Sequence, residues 1–199
     1  MTKKFAGLGC LAILLVVVLM VGCSGISTYN TLVTQDENVN KTLADMQTQY
    51  QRRADLIPNL VATVKGYAAH EQATLQGVVE ARAKATQITL DASDLTPEKM
   101  QQYEAAQTQL SQALGKLLMV QEQYPQLKAD AQFSTLQAQL EGTENRIAES
   151  RRLFNESVQS YNQAVRTFPA SIFASLMGFE RRQAFQAAVG AEQAPSVQF

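Results

Sequence analysis

Residues 133–168 read FSTLQAQLEGTENRIAESRRLFNESVQSYNQAVRTF and contain the strongest periodic pattern in the chain. One set of positions recurs there in steps of three and four: Phe133, Leu136, Leu140, Thr143, Ile147, Ser150, Phe154, Val158, Tyr161, Val165 and Phe168. Such near-heptad steps place these residues along one side of a long helix. Thr143 and Ser150 are the polar members of this seam. The segment therefore predicts a long helix that packs nearly parallel or antiparallel to other helices.

A second apolar stripe runs from Leu32 to Val78 with the same helical spacing, and Pro58 interrupts it. A proline inside a helix removes one backbone hydrogen bond and costs about 3 kcal/mol, whereas a proline in the first turn costs little. Asp55 would be a suitable N-cap for a helix that restarts there. The stripe nevertheless keeps its phase across Pro58, as a single kinked helix would. The residues alone leave both possibilities open.

The later helix boundaries are clearer. Thr96, Pro97 and Glu98 supply a cap, a proline at the first helical position and an acid in the first turn. If the chain also turns near Asp55, the helices run over residues 30–54, 56–90, 96–122 and 126–167. Short connections make consecutive helices antiparallel, and the alternating runs and turns of β-hairpins are missing. We therefore expect an all-α fold, an antiparallel up-and-down four-helix bundle of long helices.

An apolar anchor is expected to precede the bundle, at residues 1–26. Lys3 and Lys4 are followed by 17 apolar residues, 5–21, and residues 5–35 contain no Asp, Glu, Lys, Arg or His. Counted to residue 26 the run is about 33 Å long as a helix, enough to cross a bilayer. The tetrad MVGC at 20–23 also resembles a bacterial lipobox, which makes Cys23 a candidate for lipidation after cleavage. Either anchor leaves the lysines in the cytoplasm and the rest of the chain outside it.

Composition argues against several functional classes. Without residues 1–23 the chain has 15 basic and 18 acidic residues, because Lys3 and Lys4 are two of its 17 basic residues; this charge disfavours nucleic-acid binding. No cysteine follows Cys23, which excludes internal disulfides and zinc-thiolate sites there. His70 is the only histidine, so one chain cannot build a Ser-His-Asp triad or a two-histidine metal site. We expect no enzyme activity and no cofactor, and we interpret the Arg52-Arg53, Arg151-Arg152 and Arg181-Arg182 pairs as helix-surface charges.

The C-terminal segment, residues 169–199, has a different composition. With Phe168 included it contains five of the eight phenylalanines, and Arg181 and Arg182 lie among them. One interpretation is a short helix that folds back over the open end of the bundle. The other is an exposed apolar surface that docks a partner or a membrane.

One set of motifs is more specific than helix packing requires. It comprises Tyr29-Asn30 with Leu32-Val33, the run QRRADLIPNLV at 51–61, VKGYAAHE at 64–71, Glu80-Ala81-Arg82, Phe154-Asn155-Glu156, Tyr161-Asn162, Phe168-Pro169 and Gly178-Phe179. These motifs resemble the LemA family of bacterial membrane-anchored proteins over nearly all of residues 28–199. The resemblance implies a membrane anchor and an antiparallel four-helix bundle at 27–168, and it favours a helix restart near Asp55. It implies no reaction and no catalytic residues.

The leading hypothesis is a non-catalytic cell-envelope scaffold or adaptor that binds the membrane through its anchor and binds an unknown envelope protein. Its oligomeric state is not predicted. The surface expected to contact the partner consists of polar residues that packing does not require: Arg52, Arg53, Asp55, Asn59, Lys65, Tyr67, His70 and Glu71. In a purely structural alternative, Asp55 caps a helix, the two arginines stabilise the C-terminus of a helix, and His70 is an exposed surface side chain. A membrane-surface protein that uses its Phe-rich tail is the second functional hypothesis, and an enzyme is the third.

Overall fold

The computed structural model describes the backbone of residues 2–91 and 95–185, with side chains from residue 24 onward and at 15, 16, 19, 20 and 22. All regular secondary structure in these ranges is helical, so the all-α prediction is confirmed. The helices are α1 (Thr2–Tyr67), α2 (Gln72–Gln87), α3 (Pro97–Met119), α4 (Pro125–Lys128), α5 (Ala131–Arg166) and α6 (Ala170–Met177), and α3 ends in the 3-10 turn Val120–Glu122.

The predicted start of α3 is confirmed. Thr96 is its N-cap, because the Thr96 hydroxyl accepts a hydrogen bond from the Lys99 amide at 3.3 Å, and Pro97 is its first residue. The predicted seam of α5 is also confirmed from Phe133 to Val165, because each of the predicted seam residues in this range is buried. The Thr143 and Ser150 hydroxyls are satisfied within the helix. Phe168 departs from the seam because α5 ends at Arg166, and it is 77% exposed.

Of the two possibilities left open at Pro58, the structure has the single helix, so the restart near Asp55 that the family resemblance favours is wrong. Helix α1 continues through Pro58 to Tyr67, and the chain turns at residues 68–71. Asp55 caps no helix; its Oδ1 accepts a hydrogen bond from Gln51 Nε2 at 2.7 Å, one turn earlier in the same helix. The helices predicted at 30–54 and 56–90 are therefore replaced by α1 and the shorter α2.

A contact from α2 compensates for Pro58. Proline has no backbone N–H, so the carbonyl of Ala54, four residues earlier, loses its helical partner. The Nε of Arg82 donates to this oxygen at 2.7 Å. Ala54 is buried, and a buried carbonyl without a donor costs free energy. Arg82 thus lets the helix run through a residue that ordinarily ends it.

The chain forms two compact units. Of the residues that the structure describes, the first unit contains 2–41 and 157–182, and its buried residues include Leu32 of α1, Tyr161 of α5 and Ala174 of α6. The second contains 42–91, 95–156 and 183–185. Its core takes side chains from four helices: Ile57, Leu60 and Val64 of α1, Leu75 and Val78 of α2, Leu110, Leu114 and Leu117 of α3, and Phe133, Leu136 and Leu140 of α5.

The predicted anchor lies at the N-terminal end of α1. Among the described residues, none of the helices combines the length and the apolar character needed to cross a bilayer. Cys23 belongs to α1, and its side chain lies outside the described part of the structure. The anchor, its type and the boundaries 1–26, 27–168 and 169–199 stay predictions.

We predict that Arg82→Ala lowers the free energy of unfolding by about 1–2 kcal/mol, because the Ala54 carbonyl loses its donor. Adding Pro58→Ala should recover most of this loss, since alanine restores the N–H that bonds Ala54 in an uninterrupted helix. Urea unfolding followed by circular dichroism measures both effects. Lys84→Ala, at an exposed position of α2, is the matched control and should change stability by less than about 0.5 kcal/mol. Failure of Pro58→Ala to rescue Arg82→Ala would contradict the proposed compensation.

Candidate functional site

The eight predicted interaction residues form two separate groups. Arg52, Arg53, Asp55 and Asn59 lie in the C-terminal third of α1, whereas Lys65 and Tyr67 lie in its last turn and His70 and Glu71 follow it. A rise of 1.5 Å per residue separates Arg53 from Tyr67 by about 21 Å. The surface predicted from the sequence therefore combines residues of two separate sites.

Arg53 is the centre of the first group, and it is 1% exposed. Its Nη1 donates to Ser111 Oγ and to Glu144 Oε1, both at 2.8 Å, and its Nη2 donates to Gln107 Oε1 at 2.5 Å. The guanidinium also lies 5.2 Å from the ring centroid of Tyr50. One side chain of α1 thereby contacts both α3 and α5. The interpretation of Arg53 as a surface charge is wrong, because its neighbours take it out of water.

The surroundings of Arg53 extend the network to α2. The Nε2 of Gln107 donates to the Ala85 carbonyl at 3.3 Å, so the amide joins α3 to both α1 and α2. Tyr50 and Tyr103 meet edge to face with ring centroids 5.4 Å apart. Burial raises the pKa of both phenols, and for Tyr50 the charges of Arg151 and Arg53 oppose this rise. Both tyrosines therefore stay neutral at physiological pH and act as packing groups.

A groove of about 780 Å³ lies in the second unit beside this network. Its walls come from α1, α3 and the C-terminal end of α2 with the residues that follow it. Arg52 and Asp55, two of the predicted interaction residues, line it and are exposed. Polar side chains and apolar ones share the lining: Gln47, Thr48, Gln51 and Gln107 among the first, Leu56, Ile88, Leu90 and Leu110 among the second. A surface of this mixed character suits a protein partner.

The second group surrounds the turn after α1. The Tyr67 hydroxyl donates to Asp130 Oδ2 at 2.9 Å, and Asp130 Oδ1 accepts the Phe133 amide at 2.7 Å as the N-cap of α5. The Tyr124 hydroxyl donates to Glu71 Oε1 at 3.4 Å. The Phe133 amide, aided by the Tyr67 hydroxyl, lowers the pKa of Asp130. Tyr67 and Glu71 thus fix the turn.

The remaining members of the predicted surface are exposed. Arg52 and Asn59 lie in the C-terminal third of α1, Lys65 lies in its last turn, and His70 lies in the turn that follows it. In the part of the chain that the structure describes, no three His, Cys, Asp or Glu residues lie close enough together to hold a metal ion.

Two asparagines of α5 form sites that the sequence did not single out for binding. In the first unit, Asn162 exchanges two 2.8 Å hydrogen bonds with the main chain of Arg182, and the Arg182 guanidinium bonds Asp36 at 2.7 Å. In the second unit, Asn155 makes the same pair of bonds with Phe185. Asn155 and Asn162 are seven residues apart, and this one-heptad spacing is the sequence signal that could have indicated the two sites. Arg182 and Arg151, which lies over the Phe185 ring, are therefore packing residues rather than free surface charges.

A sequence profile described as the LemA family matches residues 42–199, which include the Arg53 network, the turn cluster and both asparagines. The chain belongs to the LemA family. This confirms the resemblance drawn from its motifs.

Relatives of this LemA-family chain come from several bacteria. It is 26% identical over 175 residues to magnetosome protein MamQ 2 of Paramagnetospirillum magneticum, and 26% identical over 174 residues to magnetosome protein MamQ of Magnetospirillum gryphiswaldense. It is 23% identical over 158 residues to protein LemA of Metamycoplasma hominis. Each match covers 79% of the present chain. The chain spans 64% of the length of the two MamQ proteins and 68% of that of the LemA protein.

We predict that Arg53→Ala lowers the free energy of unfolding by about 3 kcal/mol, because it removes a buried guanidinium on which contacts to two helices depend. The adjacent Arg52→Ala, at an exposed position, is the matched control and should cost less than about 0.5 kcal/mol. Urea unfolding of both variants measures the difference. Equal effects of the two substitutions would show that the Arg53 network does not hold the helices together.

Proposed function

We propose that this LemA-family chain is a non-catalytic, membrane-anchored cell-envelope protein that acts as a scaffold or adaptor for another envelope protein. The observation that supports this proposal most is the position of Arg53 and its hydrogen bonds. The side chain with the most polar contacts in the candidate site links α1 to α3 and α5, and no open cleft exposes it to a substrate. Its role is to fix a helical framework. We further propose that the four long helices of this framework form an antiparallel up-and-down bundle.

The anchor is proposed from the sequence of residues 5–21, which belong to α1. An uncleaved run of this kind would span the membrane with Lys3 and Lys4 in the cytoplasm, and the helical framework would lie outside, in the periplasm or at the cell surface. A cleaved chain would instead be held by an acyl group on Cys23. Either anchor joins the framework directly, because α1 continues without a break from Thr2 to Tyr67.

The partner surface is proposed at the groove beside Arg53. Arg52, Asp55 and Asn59 have helical spacing that places them on one exposed face of α1, and the first two line the groove. A groove lined by both apolar and polar side chains is typical of protein interfaces. We propose an unidentified envelope protein as the partner, with no nucleic acid and no cofactor.

The adaptor proposal predicts that the triple variant Arg52→Ala, Asp55→Ala and Asn59→Ala loses its crosslinked partner in native membranes while it stays folded. All three residues are exposed, so the melting temperature should fall by no more than a few degrees. Crosslinking with mass spectrometry identifies the partner. Lys41→Ala with Asp45→Ala, at exposed positions earlier in α1, is the control and should keep the partner. An unchanged set of crosslinked proteins in the triple variant would refute this surface.

The two anchor types predict different results when cells are labelled with a fatty acid. A lipid anchor requires label on the native chain, loss of label in Cys23→Ala and retention in Cys10→Ala, because only Cys23 follows a complete apolar run. A spanning helix requires no label in any of the three. Label that persists in Cys23→Ala would exclude lipidation at that residue.

A second candidate function, binding to a membrane surface, is favoured by α6. Ile172 and Leu176 lie one turn apart on α6 and are 54% and 79% exposed, and Phe168, which precedes the helix, is 77% exposed. In the same unit, the Phe173 ring lies against Gly25 of α1, so close that a Cβ there would meet it at 3.0 Å. Gly25 follows the apolar run by only four residues. An exposed apolar helix face beside the end of an anchor would suit the membrane interface.

This alternative predicts that a fragment beginning at Ser27 floats with anionic liposomes and that Ile172→Asp with Leu176→Asp abolishes flotation. Two carboxylates on the exposed face of α6 would oppose insertion into the bilayer. Val79→Asp is the matched control, because Val79 is an exposed apolar residue of α2. A fragment that stays in the dense fraction, or a double variant that still floats, would rule out membrane binding through α6.

A further inference from the structure

The guanidinium of Arg53 keeps one N–H group that its known contacts do not use. Nη1 donates to Ser111 and Glu144, and Nη2 donates to the side-chain oxygen of Gln107 and, at 3.5 Å, to its main-chain carbonyl. An arginine side chain has one further donor, the Nε–H group. Among the residues that the structure describes, Arg53 Nε is buried and has no hydrogen-bond partner. Because Arg53 is 1% exposed, bulk water does not satisfy this donor.

Gln49 contains a second buried atom of this kind, one helical turn earlier on α1. Its side-chain oxygen Oε1 is buried and likewise has no hydrogen-bond partner within the described ranges. Residues four apart on a helix are neighbours on one face, with Cβ atoms about 5–6 Å apart. Gln49 and Arg53 therefore lie side by side in the second unit. The glutamine oxygen is an acceptor, the arginine Nε is a donor, and the two do not bond each other directly.

These two atoms define the chemistry of a molecule that could lie between them. A buried donor or acceptor without a partner costs about 1–3 kcal/mol, and more if the group is charged. A bridging molecule must accept a hydrogen bond from Nε and donate one to Oε1. A water molecule does both, and buried waters make about 2–4 hydrogen bonds of this sort. An unprotonated anion has no hydrogen for Oε1, and the positive guanidinium repels a metal cation.

We propose that Arg53 and Gln49 form a binding site for a single buried water molecule, which completes the hydrogen bonding of the guanidinium. The protein acceptors hold the two Nη atoms, and the water holds the Nε edge. Gln49 is thereby a positioning residue of the Arg53 network, because it fixes the water that fixes the arginine. This proposal goes beyond the adaptor function and does not depend on the anchor or on the groove beside Arg53.

Nuclear magnetic resonance on the full chain in detergent, with isotope-labelled arginine, tests the site. The Nε–H proton of Arg53, assigned through its contacts with the Tyr50 ring, should show a cross peak to water with the sign of a long-lived bound molecule. Gln49→Met replaces the amide with an apolar side chain of similar length and should abolish this cross peak. Gln51→Met, at an exposed position of the same helix, is the matched control and should keep it.

A crystal structure of the native chain that resolves ordered waters is a second measurement and needs no variant. The expected result is one water within hydrogen-bond distance of both Arg53 Nε and Gln49 Oε1. A direct bond between these two atoms would overturn the proposal, and so would a protein atom bonded to Nε in place of the water. A native chain without the water cross peak, or a cross peak that persists in Gln49→Met, would overturn it as well.

Discussion

The buried guanidinium of Arg53 is the constraint on which the second unit depends. Removed from water, it must find its hydrogen-bond acceptors within the protein, and they come from α3 and α5. Gln107 links this network to α2, because its Nε2 donates a hydrogen bond to the Ala85 carbonyl. Apolar side chains alone allow helices to slide along one another with little change in buried area. A buried charge with fixed partners restricts the helices to the register in which those partners meet.

Helix α1 depends on a related compensation. Pro58 leaves the Ala54 carbonyl without a donor, and Arg82 supplies one from α2. Pro58 therefore does not separate two helices. Instead, α1 depends at this position on the donor that α2 supplies. No glycine and no other proline occurs between Gly25 and Gly66, which favours helix, so a single external donor is enough to preserve continuity. The Arg53 and Arg82 contacts together explain how the chain keeps one long helix in contact with three others.

The arginine pairs show where sequence reasoning failed. In each pair one member is exposed, namely Arg52, Arg152 and Arg181, and Arg152 pairs only with glutamates of its own helix among the contacts described; the other member contacts residues distant in sequence. Arg53 is buried, Arg151 lies over Phe185, and Arg182 bonds Asp36. In the two helical pairs, Arg52-Arg53 and Arg151-Arg152, adjacent residues point about 100° apart, so one of two neighbours can face the core while the other faces water. The sequence of a pair does not reveal which of the two arginines will meet an acceptor, because the acceptors of Arg53, Arg151 and Arg182 lie 47 to 146 positions away.

The sequence by itself determined the helical class, the α5 seam, the capped start of α3 and membership of the LemA family. These features depend on local spacing, capping and motifs, which the chain contains without reference to its fold. Only the tertiary structure decided that α1 passes through Pro58, that the eight candidate residues belong to two places, and that Asn155 binds the main chain of Phe185. Each of these depends on a hydrogen bond between residues distant in sequence, and local propensity does not specify such partners.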